Sequence, residues 1–210
     1  MTSSLGALQI TDWRRRVFGL YNGVRRLSAS DPGAGHELWR SGRDELFAGH
    51  PSSPLLPDDR AAFTGLPVAG YDPDWRFEVE IHRAAHPVRM QVETGTDGIV
   101  PFDLVGTVRL PYVGSLEVWH LANYGGGLFL PIKDALAGSG TYGGGRYLLD
   151  TVKGADLGPG ADDDSLILDF NFAYNPSCAY DPMWACPLAQ PGNTVAIEVP
   201  VGELYTAAQA

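Results

Sequence analysis

The sequence predicts a mainly β fold: an antiparallel body, barrel-like or folded as a sandwich, with two N-terminal helices. Three observations carry this expectation. Glycine (26) and proline (16) are frequent among the 210 residues, and such punctuation suits many short strands and turns. From Trp75 onward the apolar residues recur with a period of two, the signature of half-buried strands. No helical pattern of useful length separates those runs, so parallel crossovers are not expected. The length fits one domain, with residues 1–50 as its helical part and 75–205 as its β body.

The first helix is expected over residues 11–27. Among Trp13, Val17, Phe18, Leu20, Tyr21, Val24 and Leu27, spacings of three and four recur, as at 13/17, 17/20, 17/21, 20/24, 21/24 and 24/27, which makes an amphipathic helix. Thr11 or Asp12 would cap it, and Trp13, Phe18 and Tyr21 would face the β body. Arg14, Arg15, Arg16, Arg25 and Arg26 point outward as a basic face, which also suits an acidic partner. The second helix is signalled by "SDPGAGHELWRSGRDELFAGHP". Ser30 or Asp31 caps it, Pro32 suits its first turn, Leu38, Trp39, Leu46 and Phe47 face the core, and Gly49 with Pro51 ends it. Residues 50–75 hold five prolines and read as a loop. Leu55, Leu56, Phe63 and Leu66 suggest that it packs down onto the body.

Strands follow at Phe77/Val79/Ile81, Val88/Met90/Val92, Val105/Val108/Leu110, Leu116/Val118, Leu128/Leu130, Tyr147/Leu149, Leu166/Leu168/Phe170 and Val195/Ile197/Val199. "TGTDG" and "YVGS" are hairpin-type turns. "YGGG" occurs at Tyr124 and again at Tyr142, each time as a glycine-rich approach to a strand.

Composition excludes several classes of function. A net charge of -10 argues against nucleic acid as a partner, because duplex binding draws on clustered lysine and arginine. No apolar run approaches the ~20 residues that span a bilayer, so no membrane partner is expected. The N-terminus lacks the charged start and apolar block of a secretory signal, and a cytoplasmic location is expected. No cofactor is expected either. Gly143–Gly145 lacks the Lys-Ser/Thr step of a P-loop and a following helix, Ser177 lacks the glycines of a nucleophile elbow, and Asp162–Asp164 lacks the alternation of a calcium loop.

The densest stretch is "DFNFAYNPSCAYDPMWACPL", residues 169–188, which holds both cysteines. Asp169 and Asn171, two apart, would share one strand face beside Tyr174 and Asn175. They would either line a pocket or bond the backbone of the next turn. Arg146 follows three glycines at a strand start, where backbone can approach a ligand closely. It is expected to pair with Asp169, on a neighbouring strand, or with another carboxylate of the body. Cys178 and Cys186, with seven residues between them, read as buried thiols, as a disulfide or redox pair, or as metal ligands. A zinc site would need about two more ligands, and no histidine lies in the stretch, so no metal is expected. Tyr174, Tyr180 and Trp184 would bury their rings over one end of the body as a plug.

"TYGGGRYLLD", "LDFNFAYNPSCAYDPMWACPL" and the closing "VGE", with the earlier "RDELFAGHPSSPL" and "RAAFTGL", resemble the bacterial and archaeal family catalogued as domain of unknown function 1684. The resemblance runs from about Trp13 to Glu203. Longer members carry an insert before the "RAAFTGL"-like segment, where this chain has a shorter connection. The resemblance implies no activity, and whether the chain is an enzyme stays open at this point. The function expected from the residues is binding of a small molecule in a pocket closed by the "NPSCAY…CPL" loop. Arg146, Asp169, Asn171, Tyr174, Asn175, Cys178, Tyr180, Trp184 and Cys186 are its candidate residues. The alternative is a non-catalytic scaffold or protein-interaction module in which the motif only closes the fold.

Overall fold

The computed structural model describes residues 4–94, 98–162 and 164–205. Helix α1 spans Ser4–Ser28 and helix α2 spans Pro32–Gly49. Asp31 caps α2, its Oδ1 accepting the Ala34 N–H at 2.9 Å, with Pro32 in the first turn. α1 begins earlier than expected. Leu5, Ala7, Leu8 and Gln9 are good helix formers, so Thr11 and Asp12 lie inside the helix and do not cap it. The Thr11 hydroxyl donates to the Ala7 carbonyl, and Asp12 pairs with Arg16 and His50.

The helices meet the body through one apolar cluster: Tyr21 and Val24 of α1, Trp39 of α2, and Ala155 and Phe172 of the body. Three assignments made from periodicity are corrected here. Trp13 packs on Phe47 and His50, between the helices and not on the body. Phe18 is 47% exposed and Leu38 39% exposed. Phe18 covers the backbone of Gly154 and Leu38 that of Gly23, so each keeps its other side in water. Residues 50–75 are not wholly irregular. They contain a short helix α3, Pro57–Ala61, and a 3-10 turn, Pro73–Trp75. Leu66 is buried as expected, whereas Leu56 stays exposed.

The strands are β1 (Arg76–Glu80), β2 (His82–Arg83), β3 (Arg89–Thr94), β4 (Gly98–Leu110), β5 (Gly114–Leu121), β6 (Leu128–Ile132), β7 (Arg146–Asp150) and β8 (Ser165–Asp169). All pair antiparallel. One sheet runs β2-β4-β5-β6-β7 with β3 also against β4, and β1 pairs with β8 in a second ladder. β1 leads within one residue into β2, so the two ladders enclose a common core of Val79, Val108, Leu116, Val118, Leu130, Ile132, Leu168 and Phe170. The body is barrel-like, but its hydrogen bonding does not close. The "YVGS" hairpin forms, with Leu110 opposite Gly114. The tip of "TGTDG" lies outside the described residues, although Thr94 and Gly98 on its flanks are paired.

The expected pairing of β7 with β8 does not form. β7 pairs with β6, and β8 with β1. The connection "VKGADLGPGADDDS" takes both edges itself: Ala155 bridges back to Asp150, and Pro159 to Leu166. Nor does the Val195/Ile197/Val199 run form a strand. A 3-10 turn at Pro191–Asn193 precedes it and Pro200 follows, leaving one parallel bridge, Lys133 to Thr194. Val195 and Val199 still fill the core.

The "YGGG" segments lead into β6 and β7 as expected. Gly145 is required there. Its φ is +88°, and a Cβ would lie 2.6 Å from the Ile132 carbonyl oxygen. Among the described residues, no helix is long and apolar enough to cross a membrane.

Candidate functional site

Strand β8 ends at Asp169, and residues Phe170–Phe172 turn as a 3-10 helix. Asp169 and Asn171 are therefore not two residues of one strand face. Asp169 caps the turn: its Oδ1 accepts the Asn171 N–H at 3.1 Å and the Asn171 Nδ2–H at 2.7 Å. Its Oδ2 accepts from Arg76 (3.2 Å) and from the Tyr71 hydroxyl (3.3 Å). Asn171 completes its own bonding on the backbone of Asp72, in both directions. Its carbonyl oxygen lies 3.0 Å from His36 Nε2, a bond that ties α2 to this turn. Burial pushes the Asp169 carboxyl up, against the pull of Asn171 and Arg76.

Arg146 sits at the start of β7, fully enclosed. The expected pair with Asp169 does not form; the alternative carboxylate is Asp134. Asp134 accepts the Arg146 Nη2–H, along with the Leu136 N–H and the Thr141 hydroxyl. Three further N–H donors, on its two Nη atoms, take the carbonyls of Val199, Val201 and Glu203. The guanidinium thus clamps the C-terminal segment onto the barrel-like body.

A third set, centred on Glu203, escaped the sequence reading. Its buried carboxylate meets Arg43 of α2 at 2.6 Å, the Asn175 N–H at 3.0 Å and the Tyr180 hydroxyl. Arg43 lies over the rings of Trp39, Phe47 and Tyr174, each about 5 Å away. Burial first, and the Glu203 charge second, hold the Tyr180 phenol protonated, so it donates. "RDELF" and "VGE" were both legible as motif pieces. Nothing in either announced that they meet across 160 residues of chain. Four buried side-chain polar atoms among the described residues lack a hydrogen-bond partner: Ser28 Oγ of α1, and Arg43 Nε, Asn175 Oδ1 and His36 Nδ1 around this turn and the Glu203 set.

The plug reading holds for part of the loop. Tyr174 faces Tyr147 edge-on, and Tyr180 packs on Phe47. Trp184 does not join them: it is 39% exposed, beside Met183 at 76%. The turn at Asp181, whose backbone carbonyl accepts the Trp184 N–H, swings that ring outward.

Cys178 and Cys186 are free, half-buried thiols within hydrogen-bonding reach of each other. The Tyr142 hydroxyl lies 3.3 Å from the Cys178 carbonyl and 3.6 Å from its Sγ, and the Tyr147 hydroxyl donates to the Pro187 carbonyl at 2.7 Å. The Cys178 thiol is pushed up, chiefly by its bond to Cys186 and then by burial. Cys186 goes down to about 6, because the Cys178 S–H donates to it. Among the described residues, no group of three or more His, Cys, Asp or Glu is placed to hold a metal ion. Two surface hollows of about 340 Å³ lie elsewhere, one beside Asp12 and His50 and one beside Pro87 and Asp103.

The family model described as "Protein of unknown function (DUF1684)" matches residues 61–204. No curated protein matches the chain. Among solved structures, the chain is similar to an uncharacterized protein of Haloarcula marismortui, determined by solution NMR. The identity is 30%, the TM-score is 0.61, and the alignment covers 85% of this chain and 96% of that one.

Proposed function

Since the chain belongs to the DUF1684 family, a family of unknown function, we propose its role from its own geometry: a non-catalytic interaction module whose C-terminal motif closes the fold. One observation carries this reading. Arg146, Asp169 and Asn171 are fully enclosed and bonded to protein groups, whereas a ligand site keeps a few convergent polar groups for its ligand. The interaction is then a matter of the outer surface. The outward side of α1 exposes Arg14, Arg15 and Arg26 beside Leu8 and Phe18, a basic and apolar face on a chain of net charge -10. A protein partner presenting acidic side chains fits that face.

Poly-L-glutamate is the probe. A chain of this net charge would be repelled by it unless a local basic face holds on. The expected result is retention at low salt and release near 0.15 M, where screening shortens electrostatic reach to roughly 8 Å. The R14E/R15E/R26E variant should pass unretained with an unchanged melting temperature. Flow-through of the unaltered chain, or equal retention of the variant, would remove the α1 face. The competing reading, a small-molecule site on the motif residues, wins if a metabolite-sized compound binds saturably and Asp169→Asn or Arg146→Met abolishes that binding in a folded protein.

A further inference from the structure

The thiol pair lies apart from the α1 face, and its chemistry is independent of any partner docked there. We propose that Cys178 and Cys186 form a thiol–disulfide exchange site, in which Cys186 attacks an accessible disulfide and Cys178 completes the exchange by closing an internal disulfide.

The loop is built to bring the two sulfurs together. Residues Ser177–Ala179 form a 3-10 turn. The chain then reverses at Asp181, whose Oδ1 accepts the Met183 N–H and whose carbonyl accepts the Trp184 N–H. This double turn returns Cys186 to Cys178 after seven intervening residues. Two tyrosines anchor the returned segments on one support: Tyr142, just before β7, holds the Cys178 peptide, and Tyr147, within β7, holds Pro187 next to Cys186. Gly144 and Gly145 let Leu188 and Ala189 approach closely, since a Cβ at either would lie 3.1 Å from them. Neither thiol is sealed in the core, and Met183 and Trp184 on the same loop stand in solvent. A disulfide substrate can therefore reach the pair from outside.

The two sulfurs differ in the way an exchange needs. Cys178 keeps its proton and donates it toward Cys186. The Lys153 ammonium also favours the Cys186 thiolate, against the burial that opposes it; on Cys178 the Tyr142 hydroxyl pulls toward the thiolate but is outweighed by the bond to Cys186 and by burial. The thiolate is the attacking species in such chemistry.

The step balances. The Cys186 thiolate attacks one sulfur of RS–SR, forming Cys186–S–S–R and releasing RS⁻, which takes a proton. Cys178 then loses its proton to solvent and attacks the Cys186 sulfur, expelling the second RS⁻. The net change is protein dithiol plus RSSR to protein disulfide plus two RSH; the protein is oxidised by two electrons and RSSR is reduced.

Oxidised glutathione is the probe, on the full chain. Mass spectrometry should show the unaltered protein losing two hydrogens and carrying no adduct. Cys178→Ala should stop at a glutathione adduct on Cys186. Cys186→Ala should carry a glutathione adduct on Cys178 and close no disulfide. Should a variant misfold, the unaltered protein still decides: iodoacetamide labelling of Cys186 should rise with an inflexion near about 6. A lasting glutathione adduct on the unaltered chain, no reaction, or an inflexion in the ordinary thiol range each overturns the proposal.

Discussion

Arg146 shows how one side chain can hold a fold without facing a ligand. Its charge is met by Asp134, and three further donors take carbonyls of the C-terminal segment. Breaking a buried pair leaves the other charge stranded, which costs about 3–5 kcal/mol. Arg146→Met and Asp134→Asn should each destabilise by that order in denaturant unfolding, and the double variant by less than the sum. Arg146→Met with Asp169→Asn should be additive within about 0.5 kcal/mol, because the two belong to separate networks. Strong coupling between 146 and 169 would reverse the assignment. The sequence flagged Arg146 as a cation needing a carboxylate. It could not choose Asp134, which sits in an unremarkable turn after β6 and reaches Arg146 only when β6 and β7 pair.

At the scale of elements, α2 is fastened to the body by His36 and Arg43. His36 is fully buried among Trp39, Tyr71 and Phe172 and bonds the Asn171 carbonyl. Burial lowers its pKa below the ordinary 6.5. The sign follows from proton counting. Below 6.5 the unfolded chain binds a proton that the folded chain refuses, so this share of stability is present above 6.5 and is lost as pH falls through the folded value. His36→Gln keeps a donor for Asn171 and does not titrate. Its melting temperature should fall less steeply than that of the unaltered chain just below pH 6.5; an unchanged slope would assign the acid sensitivity to another group. The period-3.6 pattern found both helices. It misassigned Phe18 and Leu38 because a pattern gives a face but not which part of it is covered, and here glycine backbone from Gly154 and Gly23 lies beneath them.

For the molecule as a whole, the body depends on its helices as lids. Removing residues 1–28 takes away Tyr21 and Val24 and uncovers Trp39, Ala155 and Phe172. An apolar patch of that kind invites association. The truncated chain should give insoluble protein, and soluble material should lack a cooperative melt. A soluble truncation that melts cooperatively would show that the β body needs no cover. Against a net charge of -10, the exposed arginines of α1 are a local basic patch.

The sequence by itself determined the class of structure. Alternation with period two, turn residues and the absence of crossover helices are local properties, and they specified two helices, antiparallel strands and the hairpin at Tyr112 before any contact was known. The dense C-terminal motif likewise marked where the chain would be most constrained. What only the tertiary structure decided is which charges meet. Asp134 with Arg146, Arg76 with Asp169 and Arg43 with Glu203 join segments whose approach depends on strand order and helix docking. Strand order was not legible, because the connection after β7 folded back on both strand edges, and a run of glycine, proline and aspartate does not reveal whether it spans a gap or fills one. The same closure brings Cys178 and Cys186 together on a surface loop, where spacing alone left three chemistries open.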